Sequence, residues 1–92
     1  MLESELNSSN EYQTFRDEED NTRRTLLHYA AELGYLYVTK TLAKKCPGLL
    51  ILKTEQTKEK RSMLPVELAL EAENDEVAAY LIRAMWHERY ND

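Results

Sequence analysis

The sequence predicts an all-α domain built from two antiparallel helix pairs. Three observations carry that expectation. Apolar residues recur at helical spacing from Thr25 onward, glycine and proline interrupt the pattern where helices should end, and the segment starting at Thr25 aligns without a gap on one starting at Leu64. Thr25 and Leu64 set the register, so each residue of the first segment has a counterpart in the second. At 92 residues the chain supports a single small core.

The first helix is read from Leu26, Leu27, Ala30, Ala31 and Leu33, a stripe facing one side, with Gly34 free to adopt the left-handed backbone that closes it. A second stripe runs from Leu36 through Val38, Leu42 and Ala43. Lys44 and Lys45 suit its negative end, and Pro47-Gly48 stops it. Residues 49–52, LLIL, read as a short buried run of extended chain, and the polar KTEQTKEKRS that follows reads as an exposed connection. Pro65 then opens a third helix carrying Val66, Leu68, Ala69 and Ala72. A fourth, capped by Asn74 or Asp75, carries Val77, Leu81 and Met85 every four residues and runs on to about residue 90.

Residues 1–19 form an acidic leader. Up to Asp20 the carboxylates of Glu3, Glu5, Glu11, Asp17, Glu18, Glu19 and Asp20 face Arg16 alone, so the net charge of -5 originates there and the remainder is close to neutral. Such a stretch is either disordered or, over residues 10–18 where Tyr12 and Phe15 lie three apart, an additional N-terminal helix covering the end of the core. The module proper spans 20–92.

Composition also excludes several classes of function. A near-neutral body creates no field for nucleic acid, and no apolar run reaches the roughly 20 residues of a membrane span. The chain's start lacks the basic end and apolar centre of a signal peptide, so the expected location is cytoplasmic, or nuclear. Cys46 is the one cysteine and reads as a packed small hydrophobe. His28 falls in the first helix and His87 in the last, at no spacing known for zinc. Gly34 and Gly48, the only glycines, cannot build a phosphate loop, and no nucleophile-elbow or HExxH pattern occurs. Neither an enzyme, a cofactor nor a metal site is expected.

Thr25-Leu26-Leu27-His28-Tyr29-Ala30-Ala31 closely follows the T-P-L-H-x-A opening of an ankyrin repeat, and Gly34 stands where that family places its interhelical glycine. Leu64-Pro65-Val66-Glu67-Leu68-Ala69-Leu70 keeps the proline and alanine but not the threonine or histidine, and Glu73 occupies the glycine position. The chain thus resembles the ankyrin-repeat family over about residues 20–84, with repeats at about 20–52 and 59–84. Arg23 and Ser62 replace the glycine of the family's tight turn, so its β-hairpin finger is expected to be distorted.

The resemblance implies that His28 ties one repeat to the next through a threonine hydroxyl and nearby backbone, and that the chain is a protein-binding scaffold or adaptor. It places partner contacts on Asn21, Thr22, Arg24, Glu32 and Leu33 in the first repeat and on Lys60, Arg61, Met63, Glu71 and Ala72 in the second. Leu33 and Met63 would be apolar anchors, and Arg24 and Arg61 would favour an acidic protein or peptide. Trp86 and Tyr90, one turn apart in the last helix, are a secondary contact that fits folding back on the core, a further element, or a partner or homodimer. Two repeats fall short of the three that stacks usually need, so a structural cytosolic segment of a larger protein, such as an ankyrin-bearing ion channel, and a homodimerisation module both stay open.

Overall fold

The computed structural model describes residues 12–90, with side chains to residue 87; the leader to residue 11 and the Tyr90 side chain lie outside the described residues. The chain opens with two short strands, β1 (Thr14–Arg16) and β2 (Arg23–Thr25), paired antiparallel with Thr14 opposite Thr25, Phe15 opposite Arg24 and Arg16 opposite Arg23. Four helices follow: α1 (Leu26–Leu33), α2 (Leu36–Lys45), α3 (Pro65–Glu71) and α4 (Asp75–Tyr90).

The two-stranded sheet corrects the expected all-α class to mixed α/β. Strand β1 stands where the helical alternative for the leader, residues 10–18, would have run, of which residues 10 and 11 lie outside the described residues. The cause is local turn chemistry. The Asp17 carboxylate accepts the amides of Glu19 and Asp20, Asn21 takes a left-handed φ of 60°, and the Asp17 amide closes the loop on the Thr22 carbonyl. Side chains that satisfy backbone amides in a turn compete directly with helix formation. A second correction falls on residues 49–52: Pro47–Ile51 winds into a 3-10 turn, with Leu49 and Leu50 buried and Ile51 exposed, in place of extended chain.

Thr25 caps α1. Its hydroxyl accepts the His28 amide while its own amide donates to His28 Nδ1, a capping box in which histidine takes the usual place of glutamate. Gly34 ends the helix at φ 80°, and Tyr35 N–H closes on the Ala30 carbonyl.

The same bonds recur at the counterpart positions. Asn74 N–H donates to Ala69 O as Tyr35 does to Ala30, Ala78 N–H to Asn74 O as Thr39 does to Tyr35, and Leu64 N–H to Glu67 Oε1 as Thr25 does to His28. Glu73, the counterpart of Gly34, is left-handed at φ 61°. Even the hairpin has an echo: Thr54 N–H donates to Met63 O, and these are the counterparts of the paired Phe15 and Arg24. The molecule is therefore two copies of one helix–helix unit, the first preceded by a paired hairpin and the second by a loop that keeps one of its backbone bonds. They stack through α1 on α3 and α2 on α4, around a core of Leu27, Leu42, Leu49, Val66, Val77 and Leu81. Burying such a set stabilises by about 1.5–3 kcal/mol per side chain before conformational entropy is subtracted.

Candidate functional site

The joint between the two units is built from polar side chains, and His28 stands at its centre with no solvent exposure. Nε2 lies 2.9 Å from the Leu52 carbonyl and 3.2 Å from that of Met63. Both partners only accept, so Nε2 carries the proton and Nδ1 is left to accept the Thr25 amide at 3.0 Å. Burial drives the His28 pKa down to about 4 against the opposing pull of the two carbonyls, and the nearby Arg24 charge pushes the same way as burial. The ring is a neutral structural bridge from the first helix to the chain that leads into the second unit. Asn74 supplies a second bridge, its Nδ2 donating to the carbonyls of Ala31 at 2.9 Å and Glu32 at 2.8 Å and so satisfying the end of α1.

Beside this joint the two connecting loops lie against one another. Glu55 accepts the Arg23 amide and pairs with the Arg16 guanidinium at 3.4 Å. Of the other residues expected at the surface, Asn21, Lys60 and Arg61 on the loops and Leu33, Glu71 and Ala72 at the ends of α1 and α3 are exposed, while Glu32 is half-buried. Leu33 is 58 % exposed, the condition an apolar anchor requires. Arg61 pairs with Glu67 at 3.2 Å at a solvent-exposed position.

Three residues expected on the partner-facing surface are turned inward instead. Arg24 is buried, held by Asp20 and Glu32 at 2.6 Å each, with its guanidinium 5.6 Å from the centre of the Tyr29 ring. Its charge is spent inside the molecule. Burial acts against that charge, but the two carboxylates overcome it and hold the Arg24 pKa above its usual value. Asp20 is the reciprocal case: burial favours its neutral form, yet hydrogen bonds from Thr22 and Arg24 prevail and keep its pKa low. Thr22 is buried because its hydroxyl donates to Asp20 at 2.7 Å. Met63 is buried because its backbone joins both Thr54 and His28, which draws the side chain into the joint. Thr22, Arg24 and Met63 therefore offer little surface to a partner. Trp86 stays exposed on α4.

Sequence reasoning missed Asn74 as a bridge, having assigned it only a capping role. Its signal was Gly34: a Cβ there would meet Asn74 Oδ1 at 3.0 Å, so the absent side chain makes room for the amide.

On the other side of the stack an open groove of about 470 Å³ runs between α2 and α4, floored by Leu50 and edged by Lys44, Tyr80 and Arg83. His87 also lines it, and among the described residues no carboxylate or thiol does. Among the described residues, no three His, Cys, Asp or Glu side chains are grouped to hold a metal ion, and no helix is long and apolar enough to cross a membrane. No family model, no curated protein and no solved structure matches the chain.

Proposed function

We propose that the chain is a non-catalytic protein-binding module of the ankyrin type, acting as a scaffold or adaptor in the cytoplasm. The observation that carries this reading is the recurrence, at one constant offset, of a capped helix, a left-handed turn and a second helix. Stacked units of that kind present the loop edge and the ends of their inner helices as one continuous surface. Of the polar side chains that would otherwise suggest chemistry, His28 and Asn74 are occupied in joining the two units and Arg24 in holding the first together.

The binding edge in this reading is Leu33 as apolar anchor, with Glu71 and Ala72 beside it and Asn21, Lys60 and Arg61 on the loops. Lys60 and Arg61 favour a partner that brings a carboxylate close to an aliphatic side chain. An array of acidic peptides, each with one Leu or Ile, tests this: Leu33→Asp and Arg61→Glu should each weaken the best binders by about tenfold or more, the range of a true contact. Binding that is indifferent to both substitutions, in variants whose circular dichroism is unchanged, removes this edge as the site.

A further inference from the structure

The internal joint shows what each end of the stack is shaped to meet. A position buried in one unit and exposed at its counterpart in the other differs because one unit has a neighbour on that side and the other has none among the described residues. On the far side of the second unit, Leu70 is 54 % exposed where its counterpart Ala31 is 0 %, and Ile82 is 44 % exposed where Ala43 is 5 %. On the near side of the first unit, Leu26 is 41 % exposed where Pro65 is fully buried, and Val38 is 42 % exposed where Val77 is 2 %. Both ends thus show apolar side chains at the positions the joint covers. Stacks that end in solution carry polar residues there.

We propose that a second copy of this chain stacks head to tail on the first, its Leu26 and Val38 face packing on Leu70 and Ile82 as the second unit packs on the first. The occupant follows from the joint itself: in the one such contact the molecule already contains, the mate of the Ala31 and Ala43 face is the Pro65 and Val77 face, and the copy's Leu26 and Val38 stand at those same two positions. The contact is weaker than the joint. Leu70 and Ile82 are bulkier than the alanines they replace, and the second unit has Glu67 where His28 donates across the joint and the first has Tyr35 where Asn74 does. Its geometry is heterologous, so association continues by addition to either end and has no closed dimer. It does not depend on whether the loop edge binds a partner.

Sedimentation equilibrium of the full chain from micromolar to near-millimolar concentration tests it. The weight-average mass should climb from 10.8 kDa past twice that value without a plateau. Leu26→Asp, which suits the first turn of α1, blocks one end, and Ile82→Glu, on the exposed face of α4, blocks the other. Each variant alone should stay monomeric, and an equimolar mixture should stop at a one-to-one dimer through the two intact ends. Val38→Asp and Leu70→Glu repeat the experiment should either first variant fail to fold. A wild-type chain that stays at 10.8 kDa throughout overturns the proposal. So does a plateau at the dimer, which signals like-to-like pairing of one face.

Discussion

At the scale of single residues, the chemistry of this chain is concentrated in one imidazole. His28 is neutral and buried when folded, with its pKa at about 4, whereas the unfolded ring titrates near 6.5. Below the unfolded value the denatured chain takes up a proton that the folded chain refuses, so the stability His28 contributes is complete above pH 6.5 and is lost progressively as pH falls toward 4. The full loss is about 3 kcal/mol. Asp20, whose folded pKa is lowered, adds a second decline that begins as pH falls through the ordinary carboxylate value. Urea midpoints measured from about pH 8 downward should therefore fall chiefly between 6.5 and 4, and His28→Gln should flatten that interval while lowering stability at the alkaline end by about 2–3 kcal/mol, the cost of orphaned buried partners. A slope that survives in His28→Gln assigns the titration elsewhere. The histidine's bridging role was an expectation only through the resemblance of residues 25–31 to the opening of an ankyrin repeat. The burial of Arg24 was not: Asp20 is one helical turn away in sequence, but Glu32 and Tyr29 reach the guanidinium only once β2 turns directly into α1, and nothing in a one-dimensional pattern shows that corner.

At the scale of elements, what could be read followed how strongly each residue constrains the backbone. Gly34 and Pro65 marked a helix end and a helix start, and both lie where they were expected. Beyond the distorted finger that the resemblance implied, the pairing of β1 with β2 escaped because Asp17, Glu18, Glu19 and Asp20 were weighed for their charge, which suggests disorder, when Asp17 and Asn21 also have the side chains that close a turn. The LLIL run escaped because a short apolar run fits an extended strand and a 3-10 turn equally well. Glu73 was the least legible position, since glutamate favours a right-handed helix and here sits at φ 61°. The two counterpart turns give a paired prediction. Gly34→Ala should destabilise by roughly 1–2 kcal/mol from left-handed strain alone, and by more as the new Cβ presses on the Asn74 amide. Glu73→Gly should stabilise by roughly 0.5–1 kcal/mol, because relief of that strain exceeds the added freedom of the unfolded chain. Thermal melts of the two variants should move in opposite directions; a loss in Glu73→Gly would mean that the glutamate side chain holds the turn by a contact stronger than the strain.

At the scale of the whole molecule, the question is whether two units make one cooperative fold. A stack behaves as a sum of intrinsic unit stabilities and nearest-neighbour terms, and neither unit here encloses a core alone: Leu27, Leu42 and Leu49 of the first close against Val66, Val77 and Leu81 of the second. His28 and Asn74 add directional bonds to that apolar contact, one reaching forward from the first unit and the other backward from the second. The coupling term should therefore dominate, and loss of the joint should unfold both units together. Native-state hydrogen exchange measures this directly at Leu42 in α2 and Leu81 in α4, each buried in its own unit. In the wild-type chain both amides should exchange with the same free energy of opening, equal to the global value from denaturant. Asn74→Ala, which removes the side-chain donor from the Ala31 and Glu32 carbonyls and leaves Ala31 only the Gly34 amide, should lower both by the same amount, about 1–2 kcal/mol. If Leu42 falls while Leu81 holds, the second unit folds without the first, and the joint is a contact between two domains in place of the seam of one.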